Sequence, residues 1–285
     1  MKEIILCQPK SLPREQWVAA AQRAVAVNPA NHPHVEHLVR LIPQFQPSPE
    51  HIAVVTAKYW GTKGVDLTVG FFDTPDLALR RRILLHMNAW AKSANVRFVE
   101  STSDPKVRIA RVANDGYWSY VGTDILSIKS GEQTMNLEGF TMQTPESEFH
   151  RVVRHETGHT LGFPHEHMRR ELVNKIDRQK AIAYFGQTQG WSTQEVEQQV
   201  LTPIEEASIR GTPHADPNSI MCYQIPGIIT KDGNPIVGGL DIDAMDYAFA
   251  GKIYPKASKA SARRSSATTK RPTQKGAKKR PTKPK

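Results

Sequence analysis

The chain has 285 residues, of which 39% are hydrophobic, with two cysteines and a formal net charge of +10. This length is enough for one domain of about 200 residues with a substantial core. Two cysteines are too few for the disulfide framework of small secreted domains. The sequence contains no run of eighteen apolar residues, so it predicts no transmembrane helix. Residues 1–20 hold no apolar stretch of signal-peptide length, so we expect a cytoplasmic protein or one exported by a non-standard route.

The positive charge is concentrated at the C-terminus. Residues 256–285 hold twelve of the 38 Lys and Arg residues and no acid, which leaves 26 basic and 28 acidic side chains in residues 1–255, a net charge of −2. This basic tail has no aromatic residue, so it is predicted to be disordered. It is either a solubilising extension or an electrostatic arm that contacts nucleic acid or another anionic surface, and charge alone does not decide between them.

The N-terminal part of the chain is predicted to be helical. Alanine, valine and tryptophan recur at helical spacing over residues 13–28, and a second short helix is predicted over residues 34–41. Prolines 43, 47 and 49 then form a linker. We therefore expect residues 1–55 to be a helical appendage or a pro-like segment that precedes the main domain.

Strands and helices are mixed in the next stretch of the chain. Residues 65–71 alternate apolar and polar side chains like a strand, and Thr74-Pro75-Asp76 opens a helix with one apolar stripe. Further short strands are predicted over residues 96–99, 107–112, 125–128 and 135–137. This order predicts an α+β fold, a mixed twisted sheet backed by two long helices.

The second long helix carries two histidines. Thr144 is expected to cap this helix, and Pro145 suits its first position. His155 and His159 are four residues apart and therefore lie on the same helix face, where both imidazoles reach one ion.

A third histidine follows the predicted end of that helix. Gly162 favours the left-handed conformation that ends a helix, and Pro164 cannot continue one. The turn would bring His165 back to the same ion. Three imidazoles and one open position for water are typical of catalytic Zn²⁺, which we expect here rather than manganese or cobalt.

Glu156 is the expected general base. It follows the first histidine directly, so its carboxylate points close to the metal without being an obvious ligand. Zinc lowers the pKa of its bound water to about 7 and polarises a carbonyl group. Together these groups predict a metalloendopeptidase that hydrolyses peptide bonds in protein or peptide substrates.

Residues 155–165 match H-E-x-x-H-x-x-G-x-x-H, and Ser-Ile-Met-x-Tyr follows at residues 219–223. The pair of motifs resembles the metzincin metallopeptidases, and the Gly-Phe-x-His-Glu-His run is similar to the astacin family within them. The likeness covers about residues 56–255. It extends more loosely to residues 118–122 and 240–246.

The astacin resemblance implies further roles and an architecture. Met221 would form a hydrophobic floor beneath the zinc, and Tyr223 would be a fifth ligand or a hydrogen-bond donor to the transition state. The sheet and the two long helices would form an N-terminal subdomain, and an irregular C-terminal subdomain would supply His165 and Tyr223. The active-site cleft would lie between the two subdomains.

The chain departs from the astacin pattern at its N-terminus. In that family the glutamate after the third histidine, here Glu166, is linked to a processed N-terminus, but residues 1–55 show no aspartate-switch motif. Cys7 is an alternative latch, because a thiolate in a leading segment would fill the open zinc position, as matrixin prosegments do with a different motif. Cys222 is expected to be a small buried residue.

A binding protein is the rival to the peptidase hypothesis. It would use the basic tail at residues 256–285 to engage nucleic acid or an acidic partner, and its metal site would be vestigial. Removing the tail would distinguish the two, because a binder would lose its partner and a peptidase would still cleave a small substrate.

Overall fold

The computed structural model describes residue 7 and residues 10–33, 48–203 and 215–256. The helix predicted over residues 34–41 and the basic tail from residue 257 onward lie outside these residues. Both therefore stay predictions.

One five-stranded mixed sheet organises the first half of the fold. Its strands are β1 (Val65–Phe71), β2 (Val96–Glu100), β3 (Val107–Ala110), β4 (Tyr117–Ser119) and β5 (Met135–Leu137), in the spatial order β2-β1-β3-β5-β4. Strands β1, β2, β3 and β5 pair in parallel, and β4 lies antiparallel to β5 with Trp118 opposite Asn136. Strand β4 is therefore an edge strand, and the expected mixed sheet is confirmed.

The helices surround this sheet and fill the second half of the chain. The first are α1 (Trp17–Val27), α2 (Pro49–Val55) and α3 (Leu77–Met87). Helix α4 is continuous and consists of Glu146–Glu148, a π-helical stretch at Phe149–Val153, and Arg154–Thr160. The last are α5 (Arg170–Val173), α6 (Arg178–Gln189), α7 (Thr193–Val196) and α8 (Ala244–Ile253).

The strand predicted over residues 125–128 is wrong, because Gly122–Ser127 form a 3₁₀ helix. Gly122 has a φ of +49°, and a Cβ at this position would lie 1.9 Å from the Lys58 carbonyl oxygen. That carbonyl accepts a hydrogen bond from the Thr123 amide (3.0 Å), so the chain turns tightly there. Four apolar residues are too few for their spacing to distinguish strand from helix.

The predicted cap of the helix that carries His155 and His159 is also wrong. Pro145 occupies the N-cap position of α4, and no side chain caps the helix. The Thr144 hydroxyl instead accepts a hydrogen bond from the Thr141 amide (3.0 Å) in the preceding turn. The Thr144 side chain, which the sequence predicts as a helix cap, therefore stabilises a local turn instead.

Two hydrophobic clusters make up the core. The larger one lies between the sheet and helices α3, α4 and α8, and fully buried aromatic side chains such as Trp90, Phe149 and Phe163 belong to it. The smaller one is built by the C-terminal half of the chain and includes Cys222 and Tyr223, together with Cys7 from the N-terminus. A residue near the start of the sequence is thus buried in the C-terminal cluster.

The region at residues 10–33 packs closely on the sheet domain. Asn31 is almost fully buried, and its side-chain amide donates to the Ala24 and Tyr59 carbonyls at 2.9 and 2.7 Å. Arg23 reaches the Leu126 carbonyl at 2.6 Å. The division into an appendage at residues 1–55 and a domain at 56–255 stays a prediction.

None of the helices in the described part of the chain combines the length and the apolar composition that crossing a bilayer requires.

Candidate active site

Helix α4 carries His155 and His159 on its buried face, and both rings are fixed by backbone carbonyls. Nδ1 of His155 lies 2.6 Å from the Ile220 oxygen, and Nδ1 of His159 lies 2.8 Å from the Phe163 oxygen. A carbonyl only accepts a hydrogen bond, so each Nδ1 carries the proton and each Nε2 keeps a free lone pair. This is the tautomer that a metal ligand needs.

A sharp turn brings His165 to the same point. Gly162 has a φ of +94°, as the sequence predicts for a residue that ends the helix. Nε2 of His165 then lies 3.1 Å from Nε2 of His155 and 2.9 Å from Nε2 of His159. Nitrogens bound to one tetrahedral Zn²⁺ are about 3.3 Å apart, so the spacing fits a shared ion.

Burial keeps all three imidazoles neutral. Desolvation lowers the pKa of His159 to about 4 and lowers the pKa values of His155 and His165 well below the ordinary value. A neutral imidazole is the form that binds metal. The three ring nitrogens therefore form a preformed donor set.

Glu156 lies beside this set and is fully buried. Neither of its carboxylate oxygens has a hydrogen-bond partner of normal geometry among the described residues. Burial raises the pKa of Glu156 to about 8, and a contact with Cys7 and the charge of Arg151 act in the opposite direction. Unpaired buried carboxylates are costly, so Glu156 is a candidate functional residue.

Met221 packs against helix α4 at Gly158, the residue before His159. Its sulfur lies 2.4 Å from where a Cβ would stand on Gly158, so a larger residue at that helix position would displace the Met221 side chain. The Met221 carbonyl accepts a hydrogen bond from the Glu166 amide at 2.8 Å, which ties the Met221 turn to the residue after His165.

Asp246 holds the Met221 turn in place. Its carboxylate accepts hydrogen bonds from the Ser219 hydroxyl (2.6 Å) and the Ile220 amide (2.9 Å). Ile220 in turn supplies the carbonyl that orients His155. Asp246 therefore supports a metal-ligand candidate through one intermediate residue.

Tyr223 is buried against the histidines, with its ring centroid 4.2 Å from those of both His165 and His167. Its hydroxyl donates a hydrogen bond to the backbone carbonyl of Cys7. The predicted transition-state donor thus reaches the centre of the site, and an N-terminal carbonyl already engages it.

Cys7 itself occupies the site. Its sulfur and the ligand nitrogens of His155, His159 and His165 all lie within 4.8 Å of one another, and all four residues are buried. Both cysteines of the chain are free thiols. Cys7 therefore stands where the sequence analysis places an open position or, in the alternative, a thiolate latch.

A second cluster of candidate ligands, His86, Glu146 and His150, lies elsewhere on α3 and α4. The Arg154 guanidinium already fills it, with Nε 3.3 Å from His86 Nδ1 and Nη2 3.2 Å from His150 Nε2. A fixed positive charge at this distance opposes a metal ion. This cluster is better explained as the binding pocket of an arginine.

Comparison with known proteins identifies the family. The model of the peptidase family Astacin matches residues 56–231. The chain belongs to the astacin family. Its fold is that of a metzincin, and it is a zinc metalloendopeptidase.

Solved structures agree with the astacin assignment. A structure of myroilysin aligns with a TM-score of 0.66 at 30% identity, covering 70% of this chain and 97% of that one. A second myroilysin structure aligns with a TM-score of 0.54 at 29% identity, covering 70% and 86%. High choriolytic enzyme 1, a hatching enzyme zinc-protease from the medaka fish Oryzias latipes, reaches 19% identity and a TM-score of 0.45, covering 66% and 88%, and is too distant to support an argument. No curated protein matches the chain.

Three supporting features of this astacin site escaped the sequence analysis. The first is Gly158, which leaves room for the Met221 side chain against helix α4. The second is the pair of carbonyls from Ile220 and Phe163 that orient the histidines. The third is Asp246. Its position could have been found in the sequence, because Asp243 and Asp246 have the spacing of a capping box, which they form at the start of α8.

Proposed function

We propose that His155, His159 and His165 bind one catalytic Zn²⁺ and that Glu156 and Tyr223 carry out peptide hydrolysis beside it. The observation that carries this proposal is the convergence of three neutral imidazoles, with Nε2 of His165 lying 3.1 Å from that of His155 and 2.9 Å from that of His159. Beside them lies the buried Glu156 carboxylate, which has no partner of normal geometry among the described residues. The nitrogen donor set fits zinc, and Gly162 and Met221 support its geometry.

Bound zinc would polarise the scissile carbonyl and lower the pKa of the attacking water. Glu156 would take the proton of that water and pass it to the leaving amine, as a positioned general base and acid does. Its burial keeps the carboxylate basic, with a pKa of about 8, which suits proton transfer near neutral pH.

Tyr223 would donate its hydroxyl proton in a hydrogen bond to the substrate carbonyl oxygen as negative charge develops there. Its present hydrogen bond to a carbonyl oxygen, that of Cys7, supports this role, because the hydroxyl already points at an acceptor of the same chemical type. Such a donor stabilises the transition state more than the ground state.

The substrates are proteins or peptides, since the family consists of peptidases. The rival binding function has no observation in its favour among the described residues. Contact of the tail at residues 256–285 with nucleic acid or an anionic surface rests on charge alone and stays a prediction.

The test is Glu156→Gln in the full chain, measured with Cys7 intact and with Cys7→Ala so that the sulfur does not compete with substrate. In the Cys7→Ala background we expect peptide cleavage to fall by about 100-fold to 10,000-fold while zinc content is unchanged. Glu146→Gln is the matched control, since it removes a carboxylate from the exposed start of the same helix. Full activity in the Glu156 variant would refute the assigned role.

A further inference from the structure

We infer that the Cys7 thiolate is the fourth ligand of the resting metal centre, and that Cys7 and residues 10–33, here called the N-terminal segment, form a built-in inhibitor of the site. This inference rests on the proposed function, because it concerns the same ion. It goes further by assigning the state in which the folded chain rests.

The position of the sulfur is the first argument. Cys7 Sγ and three histidine nitrogens lie within 4.8 Å of one another, and Cys7 is 7% exposed. One thiolate and three imidazoles form a set of four donors that closes a tetrahedral zinc site. A closed site leaves no position for the attacking water.

The backbone of Cys7 is the second argument. Its carbonyl oxygen accepts the Tyr223 hydroxyl, and its side chain interacts with the Glu156 carboxylate. Cys7 therefore supplies a fourth donor to the metal position and also contacts both the proposed general base and the proposed transition-state donor. A peptide bound this way imitates a substrate but presents sulfur in place of the reacting water.

Coordination has a definite proton balance. With the metal bound, a sulfur–metal bond would form as the metal–water bond breaks and the water leaves. The thiol would lose its proton, which Glu156 is placed to accept because its two oxygens have no other partner of normal geometry among the described residues. On release the sulfur–metal bond breaks, the proton returns to sulfur, and water takes the vacated position. No oxidant or reductant is needed.

The N-terminal segment also covers the free edge of the sheet. Cys7 pairs with Tyr117 and Lys10 pairs with Tyr120, both in parallel, on the side of β4 that β5 leaves open. Exposed strand edges are common docking sites for extended peptides. The segment thus blocks both the metal and the adjacent edge against which an extended substrate would pair.

The third argument is the anchoring of the segment. Asn31 binds the Tyr59 backbone through both donor and acceptor atoms, at 2.7 and 3.0 Å, and Asn28 donates to the Trp60 carbonyl at 2.7 Å. These buried hydrogen bonds hold residues 10–33 to the domain independently of Cys7. The inhibitor is therefore tethered near the site even when the thiol leaves the metal.

The test replaces zinc with Co²⁺ in the full chain and records the thiolate-to-cobalt charge-transfer absorption in the near ultraviolet. We expect this band in the unaltered chain and its loss in Cys7→Ser. Cys222→Ser is the matched control and should keep the band, because Cys222 is buried beside Met221 and is not among the four converging residues. A missing band in the unaltered chain, or a band that persists in Cys7→Ser, would overturn the inference.

Peptide cleavage by the zinc forms separates this inference from the proposed function. We expect Cys7→Ser to raise cleavage by about 10-fold or more and Cys222→Ser to leave it near the unaltered level. If no variant cleaves while the band follows Cys7, the ligand assignment stands and the peptidase mechanism fails. If all variants cleave equally and the absorption band is unchanged in Cys7→Ser, the peptidase mechanism stands and the inhibitory role of Cys7 is refuted.

Discussion

The floor and the roof of the site are held in different ways. The floor is helix α4 with the Met221 turn, in which His155, His159 and Asp246 each make hydrogen bonds of 2.6–2.9 Å to neighbouring groups. The roof is Cys7 with the strand-like pairing of Lys10 to Tyr120, two isolated bridges to one edge strand. The floor is therefore held by its own hydrogen bonds, whereas few contacts hold the roof next to the histidines.

The difference also appears in the exposure of the groups involved. The three histidines of the floor are at most 6% exposed. The ion pair of the roof joins Lys10 Nζ to Asp115 at 3.7 Å, and these side chains are 38% and 30% exposed. Contacts of the second kind contribute little free energy each, so the roof depends on Cys7 and on the distant anchor at Asn31.

Loss of a floor ligand should have the largest effect. His159→Ala removes one of three converging nitrogens, and we expect metal affinity to fall by more than about 100-fold and peptide cleavage to disappear. Metal analysis after dialysis measures this directly. His32→Ala is a control that removes a histidine far from the cluster in sequence, and stoichiometric zinc in His159→Ala would contradict the assigned ligand set.

Loss of the support beneath the floor should come next. Asp246→Ala leaves the buried Ser219 hydroxyl and Ile220 amide without their acceptor. Two buried hydrogen bonds to a charged group contribute about 3–6 kcal/mol to the free energy of unfolding, and the hydrogen bond from the Asp243 amide is lost with them. Chemical denaturation measures it. Asp232→Ala, at an exposed turn, should leave the free energy of unfolding nearly unchanged. An equally small change for Asp246→Ala would show that other contacts hold the Met221 turn.

The floor was largely predictable from the sequence, because the positions of its proposed metal ligands follow from local rules. The spacing of His155 and His159 fixes their common helix face, and Gly162 adopts the positive φ that its position suggested. Strand β5 also begins and ends at the predicted residues. Short-range periodicity and turn chemistry are the signals that a single sequence carries most clearly.

The roof was not predictable in the same way. The sequence offered Cys7 only as an alternative latch, because nothing in residues 6–9 specifies that it meets histidines half the chain away. The close contact of Gly158 with Met221 likewise joins distant residues, and the short helix at residues 122–127 depends on the Lys58 carbonyl. These features arise from contacts between residues that are distant in sequence. Such contacts either override the local sequence pattern or leave no local pattern at all.

Loosening the anchor of the roof should have an intermediate effect. Asn31→Ala removes three side-chain hydrogen bonds and leaves the buried Tyr59 amide without its acceptor, which costs about 1–3 kcal/mol. Hydrogen exchange should become faster in residues 17–27 and stay unchanged in α4. Asn234→Ala, at an exposed turn, is the control. Equal acceleration in both regions would mean that floor and roof open as one unit.

The smallest effect is expected at the exposed part of the roof. Lys10→Ala removes the ion pair to Asp115 and the contact of the ammonium with the Trp118 ring, 4.7 Å from its centroid. We expect basal peptide cleavage to rise by less than about 5-fold. Lys106→Ala makes the same charge change at an exposed pair with Asp104 and should do nothing. A rise as large as that of Cys7→Ser would mean that Lys10, rather than sulfur, holds the roof.

X-ray absorption at the zinc edge of the unaltered, zinc-loaded chain tests the central claim most directly. Three imidazoles from the floor and one thiolate from the roof predict three nitrogen neighbours at about 2.0–2.1 Å and one sulfur at about 2.3 Å. A first shell without three imidazole nitrogens would contradict the metal site itself. A shell with those nitrogens and oxygen in place of sulfur would contradict the roof alone.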